Sequence, residues 1–304
     1  MKGDGVAPAF ELGIGGPSGG TRDGRQLAEA ATRAEDLGFA WFGNGEHVMF
    51  HNPTSSALVN LAFLAGVTSR IRLLSAITLV PLYPAPLLAK MAASLAILAG
   101  GRFELGVGVG GEYPAEFAAC GVDVRTRGAR TDEAIDVMRA LWTGQEVDHD
   151  GRFWQVKGRL RPEPPSPPRI WVAGRSPAAV RRAIHAGDVY MPYLLRPHRL
   201  REHIGVIEQR VPIMPYVFLH VDDSGDRARA DAAAWVGHMY RQNPETFGEL
   251  VIAGTADDCA ARLAQLRDWG CAGAHITLVC PPGQWLERCD LVGREILPRF
   301  RQKR

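Results

Sequence analysis

Residues 100–111 read GGRFELGVGVGG. The stretch opens as a turn at Gly100 and Gly101, runs through Phe103, Leu105, Val107 and Val109 in alternation, and ends in glycines. Period-two alternation is a strand signal, and glycines at the end of a strand let the backbone come close to something. Gly106, Gly108 and Gly111 also satisfy the spacing G-x-G-x-x-G, in which bare backbone and a helix N-terminus meet a pyrophosphate. That dinucleotide reading requires a helix at once and then a strand carrying a ribose-binding acid. Here Pro114 follows within three residues and the next long periodic segment is a helix, so the dinucleotide reading fails on context. Two readings of the glycines stay open: an edge that faces a ligand, and small residues that fit a crowded barrel interior.

Upstream, Ala9 to Ile14 is a short apolar run closed by Gly15, Gly16, Pro17, Ser18, Gly19 and Gly20, a strand followed by a loop able to close over a site. Leu27, Ala30, Ala31, Ala34 and Leu37 recur at helical spacing, with Gly38 where a C-terminal cap stands. The strand beginning at Phe39 breaks into Gly43, Asn44, Gly45, Glu46 and His47. Ser55 to Val67 reads as a helix, Ile71 to Val80 as an apolar strand, and Leu87 to Leu98 as the next helix.

Downstream, a helix spans Thr126 to Trp142, and Val147 to Val156 is a hairpin turning at Asp150 and Gly151, too polar for a barrel strand. A proline-rich linker enters the strand Ile170 to Ala173, after which Ser176 and Pro177 occupy the N-cap and first position of a helix. Strands at Val189 to Tyr193, Ile213 to Val221 and His275 to Val279 alternate with helices at His198 to Gln209, Asp226 to Tyr240 and Thr255 to Trp269, and a last helix runs to Leu297. Eight strand signals, most followed by a helix, predict an α/β fold: a (β/α)8 TIM barrel over residues 1–304 as one domain, with a short excursion after the fourth helix.

With 35 Lys+Arg against 33 Asp+Glu the formal charge is +2, which gives no argument for nucleic acid or an anionic membrane as partner. The cations are nearly all arginine, the only lysines being Lys2, Lys90, Lys157 and Lys303, as in a high-GC genome. Cys120, Cys259, Cys271, Cys280 and Cys289 form no C-x-x-C pair, and an odd number in a chain this long reads as reduced thiols. No leader and no bilayer-length apolar run is evident, and the expectation is a cytoplasmic protein.

Barrels keep their chemistry at the C-terminal ends of strands, where Glu46 and His47 stand. A histidine there can move protons and an adjacent acid can orient it, although the pair also reads as a polar loop. His51 lies four residues on and could share a metal with His47, but no further His/Asp set at strand ends completes a site, and no metal is expected. Gly174, Arg175 and Ser176 before Pro177 combine free N–H groups, a hydroxyl and a guanidinium, which suits a phosphate and equally suits an ordinary capped helix. Ser75, Ala76, Ile77 and Thr78 are small or apolar enough for a flat ring to lie against that strand.

The runs PAPLLAKMAASLAILAGGRFELGVGVGG (84–111), EFAACGVDVRTRGARTDEAIDVMRALWTG (116–144) and PPRIWVAGRSPAAVRRAIHAGD (167–188) resemble the bacterial luciferase-like flavin and deazaflavin oxidoreductases, above all the branch that uses coenzyme F420. The resemblance spans nearly the whole chain and implies a barrel holding the ring of F420 or FMN at its C-terminal mouth. It further implies that His47 with Glu46 is the acid–histidine pair beside the ring, and that a non-proline cis bond at Ala76 and Ile77 lies behind it. Gly108, Val109, Gly110 and Gly111 would touch the ring and its side chain, with Ala173, Gly174, Arg175 and Ser176 at the cofactor and its phosphate. In F420-dependent sugar-phosphate dehydrogenases a glutamate directly follows the glycine run; here that place is Gly111 and Glu112 comes one later. Ala96 and Ala99 replace an aspartate and a serine usual in the preceding helix.

The function expected is therefore an F420-dependent oxidoreductase passing a hydride between F420 and a small organic substrate, with His47 as proton donor or acceptor. An FMN-dependent monooxygenase is the nearest alternative and a non-catalytic flavin-binding relative another. The resemblance also implies a homodimer. The loops expected to select the substrate, Gly15 to Asp23, Met49 to Ser55 and the region after Tyr193, carry no decisive charge pattern.

Overall fold

The computed structural model describes residues 10–17, 23–240, 251–281 and 283–301. The chain starts with β1 (Glu11–Gly15), α1 (Gly24–Leu37), β2 (Trp41–Asn44), α2 (Ala57–Ala65), β3 (Arg72–Leu79), α3 (Ala85–Leu98) and β4 (Phe103–Gly108). A short α4 (Pro114–Ala119) precedes α5 (Arg127–Trp142), and the strands β5 (Val147–Asp150) and β6 (Gln155–Gly158) follow. Then come β7 (Ile170–Ala173), α6 (Pro177–Ala186), β8 (Val189–Met191), α7 (Pro197–Ile207), β9 (Tyr216–Val221) and α8 (Gly225–Tyr240). The described chain closes with β10 (Val251–Gly254), α9 (Ala256–Asp268), β11 (Gly273–Leu278) and α10 (Trp285–Leu291).

Nine strands make one curled parallel sheet in the order β10-β9-β11-β1-β2-β3-β4-β7-β8, and β5 pairs with β6 in a separate antiparallel ribbon. At the β8 edge, isolated parallel bridges join Tyr190 to Ile213 and Tyr193 to Tyr216. The Tyr216 N–H donates to Pro192 O at 2.8 Å, so β8 meets the chain that enters β9.

Two elements differ from the sequence expectation. The six residues of α4 are too few to show a helical period, so the helix expected as the fourth is α5, and the polar ribbon follows it. The four residues of β10 carry no alternation and were not expected as a strand; they pair with β9. The loop expected over Gly15 to Asp23 falls largely outside the described residues.

Apolar side chains pack on both faces of the sheet, as continuous hydrophobic strands of a parallel sheet require. Between sheet and helices lie residues such as Leu12, Ile14, Leu61, Leu88 and Val107. Inside the curl, Trp41, Leu74, Trp171, Val189 and Met191 form a second cluster, with the Trp41 and Trp171 rings edge to face at 4.9 Å. Those indoles fill the lower part of the curl, and the space lined by residues such as Glu46, Gly108 and Gly174 lies toward the C-terminal ends of the strands.

The glycines in and after β4 divide into two kinds. The β3–β4 ladder shifts register between Ser75 and Thr78, and the Ala76–Ile77 peptide is cis. A methyl group on Gly106 would lie 1.9 Å from Ser75 O, and one on Gly108 would lie 1.9 Å from Ile77 Cδ1. Ser75 Oγ accepts from Gly106 N–H at 2.9 Å across this break. Gly106 and Gly108 thus fit a crowded interior, whereas Gly110 and Gly111 have φ of 59° and 102° and carry the chain away from the strand.

Candidate functional site

A cavity of about 670 Å³ opens at the C-terminal ends of the strands. The residues expected to be catalytic or to touch the cofactor border it: Glu46 and His47 after β2, Ala76 and Ile77 in β3, Gly108 to Gly111 at and after the end of β4, and Ala173 to Ser176 leading from β7 into α6. The volume suits a ligand of cofactor size.

His47 does not lean on its neighbour Glu46. Its Nδ1 lies 3.1 and 3.2 Å from the carboxylate oxygens of Glu116, and Val48 N–H donates to the same carboxylate at 3.1 Å. Pro114 starts α4 and puts Glu116, fully buried, in its first turn. The His47 ring stacks on Phe50 with centroids 4.0 Å apart and planes 7° off parallel. A carboxylate that accepts from Nδ1–H fixes the tautomer and leaves Nε2 as the atom for proton transfer.

Glu46 has a different task. It accepts from Leu79 N–H at 3.0 Å, Ala57 N–H at 3.2 Å and Tyr83 OH at 3.0 Å, tying the end of β3 and the start of α2 to the loop after β2. Burial holds its carboxyl above the usual range, against the pull of those donors. The expectation that Glu46 orients His47 is corrected: Glu116 does so. Nothing in the sequence points to it, because a glutamate in a first helical turn is an ordinary partner of the helix dipole.

On the opposite side, Ser176 Oγ caps α6 by accepting Ala179 N–H at 3.3 Å. Gly174 has φ of 147°, and a methyl group there would lie 2.6 Å from the Ala179 Cβ, so bare backbone faces the cavity at the helix N-terminus. The Arg175 guanidinium lies 5.4 Å from the centre of the Tyr193 ring, and Tyr193 OH donates to Glu112 at 2.5 Å. Burial and the Glu112 carboxylate push the Tyr193 phenol up. Arg127 and Arg182, absent from the sequence expectation, border the same side. Arg182 is held by Asp132 at 2.6 Å and by Gly128 O at 3.3 Å. A helix N-terminus, a hydroxyl and the arginines at this end of the cavity make an arrangement able to hold an anion.

His51 donates through Nε2 to Met239 O at 2.7 Å and packs on Phe50, so it is turned to α8 and away from a ligand shared with His47. Deep in the cavity stand His275 and Thr277 of β11 and Tyr216 of β9, also missed from sequence. Trp41 Nε1–H donates to His275 Nδ1 at 3.0 Å, and burial pushes that imidazole down to about 3, so it is neutral.

The family model for luciferase-like monooxygenases matches residues 6–273. An F420-dependent glucose-6-phosphate dehydrogenase of Gordonia bronchialis is 34% identical over 189 residues, covering 56% of this chain and 53% of that protein. The oxygenase component of a flavin-dependent trigonelline monooxygenase of Acinetobacter baylyi is 33% identical over 152 residues, covering 48% of this chain and 41% of that protein. The matches thus span about half the length of these curated relatives or less. The crystal structure of monooxygenase RslO1 from Streptomyces bottropensis superposes with a TM-score of 0.83 over 96% of this chain and 100% of that one, at 22% identity, a likeness of fold. The chain belongs to the luciferase-like monooxygenase family.

Proposed function

We propose that this chain is an F420-dependent oxidoreductase that passes a hydride between F420 and a small organic substrate in the cavity at the strand ends. The observation that carries this reading is the convergence on one cavity of the His47–Glu116 pair, the bare backbone of Gly110 and Gly111, and the anion site at Arg175 and Ser176. The two bridges beside β8 support closure of the sheet into a (β/α)8 TIM barrel, with β10 attached outside the ring and the β5–β6 ribbon as the excursion.

The residues present fit such a cofactor. Ala76, Ile77, Gly108 and Val109 offer a flat wall, Gly110 and Gly111 offer backbone, and Ala173, Gly174, Arg175 and Ser176 would hold the phosphate. The cofactor supplies hydride chemistry. His47 Nε2 donates or accepts the proton that accompanies hydride transfer, Glu116 holds the ring in one tautomer, and Glu46 keeps the loop that carries His47 in place.

An FMN-dependent monooxygenase is the second reading, favoured by the flavin-dependent relative. The F420-dependent dehydrogenase relative favours the first. We further place the enzyme in the cytoplasm, as a homodimer. Among the described residues no helix is long and apolar enough to cross a membrane. Exposed Val59 and Phe63 of α2, with Leu87 and Leu98 of α3, offer an apolar face for a second copy.

Titration of the apoprotein with F420 and with FMN, followed by fluorescence quenching, tests the assignment. Tight binding of F420 alone is expected. Tight binding of FMN alone would transfer the function to oxygen chemistry. Binding without substrate-dependent absorbance change would identify a non-catalytic relative.

A further inference from the structure

A count of hydrogens in the deep end of the cavity leaves two donors without acceptors. Trp41 has only an N–H to give, so His275 Nδ1 must accept, and the neutral imidazole carries its proton on Nε2. No described residue accepts from that Nε2, although His275 is 1% exposed and borders the cavity. Thr277 Oγ1 and Tyr216 Oη are 2.7 Å apart and bond to each other. One bond consumes one of their two hydroxyl hydrogens, and when Tyr216 Oη–H is the donor the Thr277 hydrogen is left over, with no acceptor among the described residues.

Gly15 marks the space these groups face. A methyl group on it would lie 3.1 Å from Thr277 Oγ1 and 3.3 Å from His275 Nε2. A single atom beside Gly15 is therefore within hydrogen-bond reach of both β11 side chains, and the absent side chain keeps that place open. Both donors are uncharged, and the surroundings are apolar: Trp41 lies beneath and the Tyr216 ring packs on His275 at 4.8 Å. An oxygen with two lone pairs and no net charge satisfies both hydrogens, whereas a carboxylate or phosphate would lose its hydration there without a countercharge.

We infer that His275 and the Thr277–Tyr216 pair form an acceptor-oxygen site beside Gly15 that holds an uncharged carbonyl group. The carbonyl belongs to the small-molecule substrate or to the ring of the bound cofactor, and the two sources are separable. The inference rests on the proposed oxidoreductase reading of the cavity and names the substrate chemistry that its deep end accepts: a neutral carbonyl compound or the corresponding alcohol.

Protein labelled with 15N-histidine is titrated separately with cyclohexanone, cyclohexanecarboxylate, F420 and FMN while the ring nitrogens are followed by NMR, the His275 signals being assigned by their loss in His275→Gln. In the free protein Nε2 should be the protonated nitrogen of His275. Cyclohexanone should shift Nε2 and the carboxylate should not, which assigns the site to substrate. A shift on F420 or FMN alone assigns it to a ring carbonyl. Gly15→Ala should abolish the response, and Thr277→Val should weaken binding of the responding ligand by about 3- to 10-fold, the worth of one hydrogen bond. Absence of a shift with cyclohexanone, F420 and FMN, or an unchanged response in Gly15→Ala, overturns the site and leaves it holding water only. Fluorescence quenching on the same samples separates this from the function: cofactor binding without any His275 response defeats the site alone, and a cyclohexanone response without cofactor binding defeats the oxidoreductase reading alone.

Discussion

The Nδ1 atom of His47 lies 3.1 Å from the Oε1 atom of Glu116, a residue with no exposed surface and 69 positions away in the chain. His47 borders the cavity, and a buried carboxylate on the Nδ1 side of such an imidazole suits the proposed proton transfer. His47→Ala is expected to lower kcat by about 100-fold or more while cofactor affinity stays within a few-fold. Glu116→Gln should also lower kcat with little change in KM, because it acts through the His47 ring. Steady-state kinetics with the cofactor that binds would check both, and undiminished turnover in His47→Ala would refute the assignment.

Glu46 predicts the opposite pattern. Removing its carboxyl leaves Ala57 N–H, Leu79 N–H and Tyr83 OH without their acceptor in a buried place. Glu46→Ala should cost about 3 kcal/mol of stability in urea unfolding, with Glu46→Gln costing less than half of that. A full loss of turnover at unchanged stability would instead return Glu46 to the chemistry.

The guanidinium of Arg175 stands at the N-terminus of α6, next to the cap formed by Ser176. Arg175→Ala should raise the Kd for cofactor by about tenfold, and the loss should shrink as salt is added. Arg175→Lys should recover part of the binding, since it keeps the charge without the planar fork. Equal affinity of wild type and Arg175→Ala would move the phosphate elsewhere.

Gly106 and Gly205 give a matched pair. A methyl group on Gly106 meets the Ser75 carbonyl at 1.9 Å, whereas one on Gly205, within α7, meets nothing within 4 Å. Gly106→Ala should destabilise by about 3 kcal/mol or prevent folding, and Gly205→Ala should stabilise by about 0.5–1 kcal/mol. Thermal unfolding of the two variants decides this.

Burial pushes His275 from 6.5 to about 3, so below pH 6.5 the unfolded chain binds a proton that the folded chain refuses. Unfolding free energy therefore falls with falling pH in that window, by at most about 1.4 kcal/mol per unit from this group. The stability difference between wild type and His275→Phe should narrow as pH drops from about 7 to about 5. A difference independent of pH would mean that His275 titrates alike in both states.

Much of the site was legible because its signals are local. The Ser176 cap with Pro177, the glycines after β4 and the acid–histidine break after β2 each depend on residues a few positions apart. Ser176, the glycines after β4 and the Glu46–His47 break all border one cavity. The roles inside it were not legible. Glu46 sits next to His47 in sequence, yet successive residues at a strand end point to different sides, and its carboxyl turned to β3 and α2.

Periodicity and capping are properties of short stretches of backbone, and they sufficed for the alternation of strands and helices and for the ends of most elements. They also placed His47 and the Ser176-capped start of α6 at strand termini. Partnerships across the sheet follow from strand order and from which side chains must be buried together, and no spacing encodes them. Glu116 behind His47, Trp41 setting the tautomer of His275 from 234 positions away, and Ser75 requiring a glycine at Gly106 arise only when the parallel strands stand side by side.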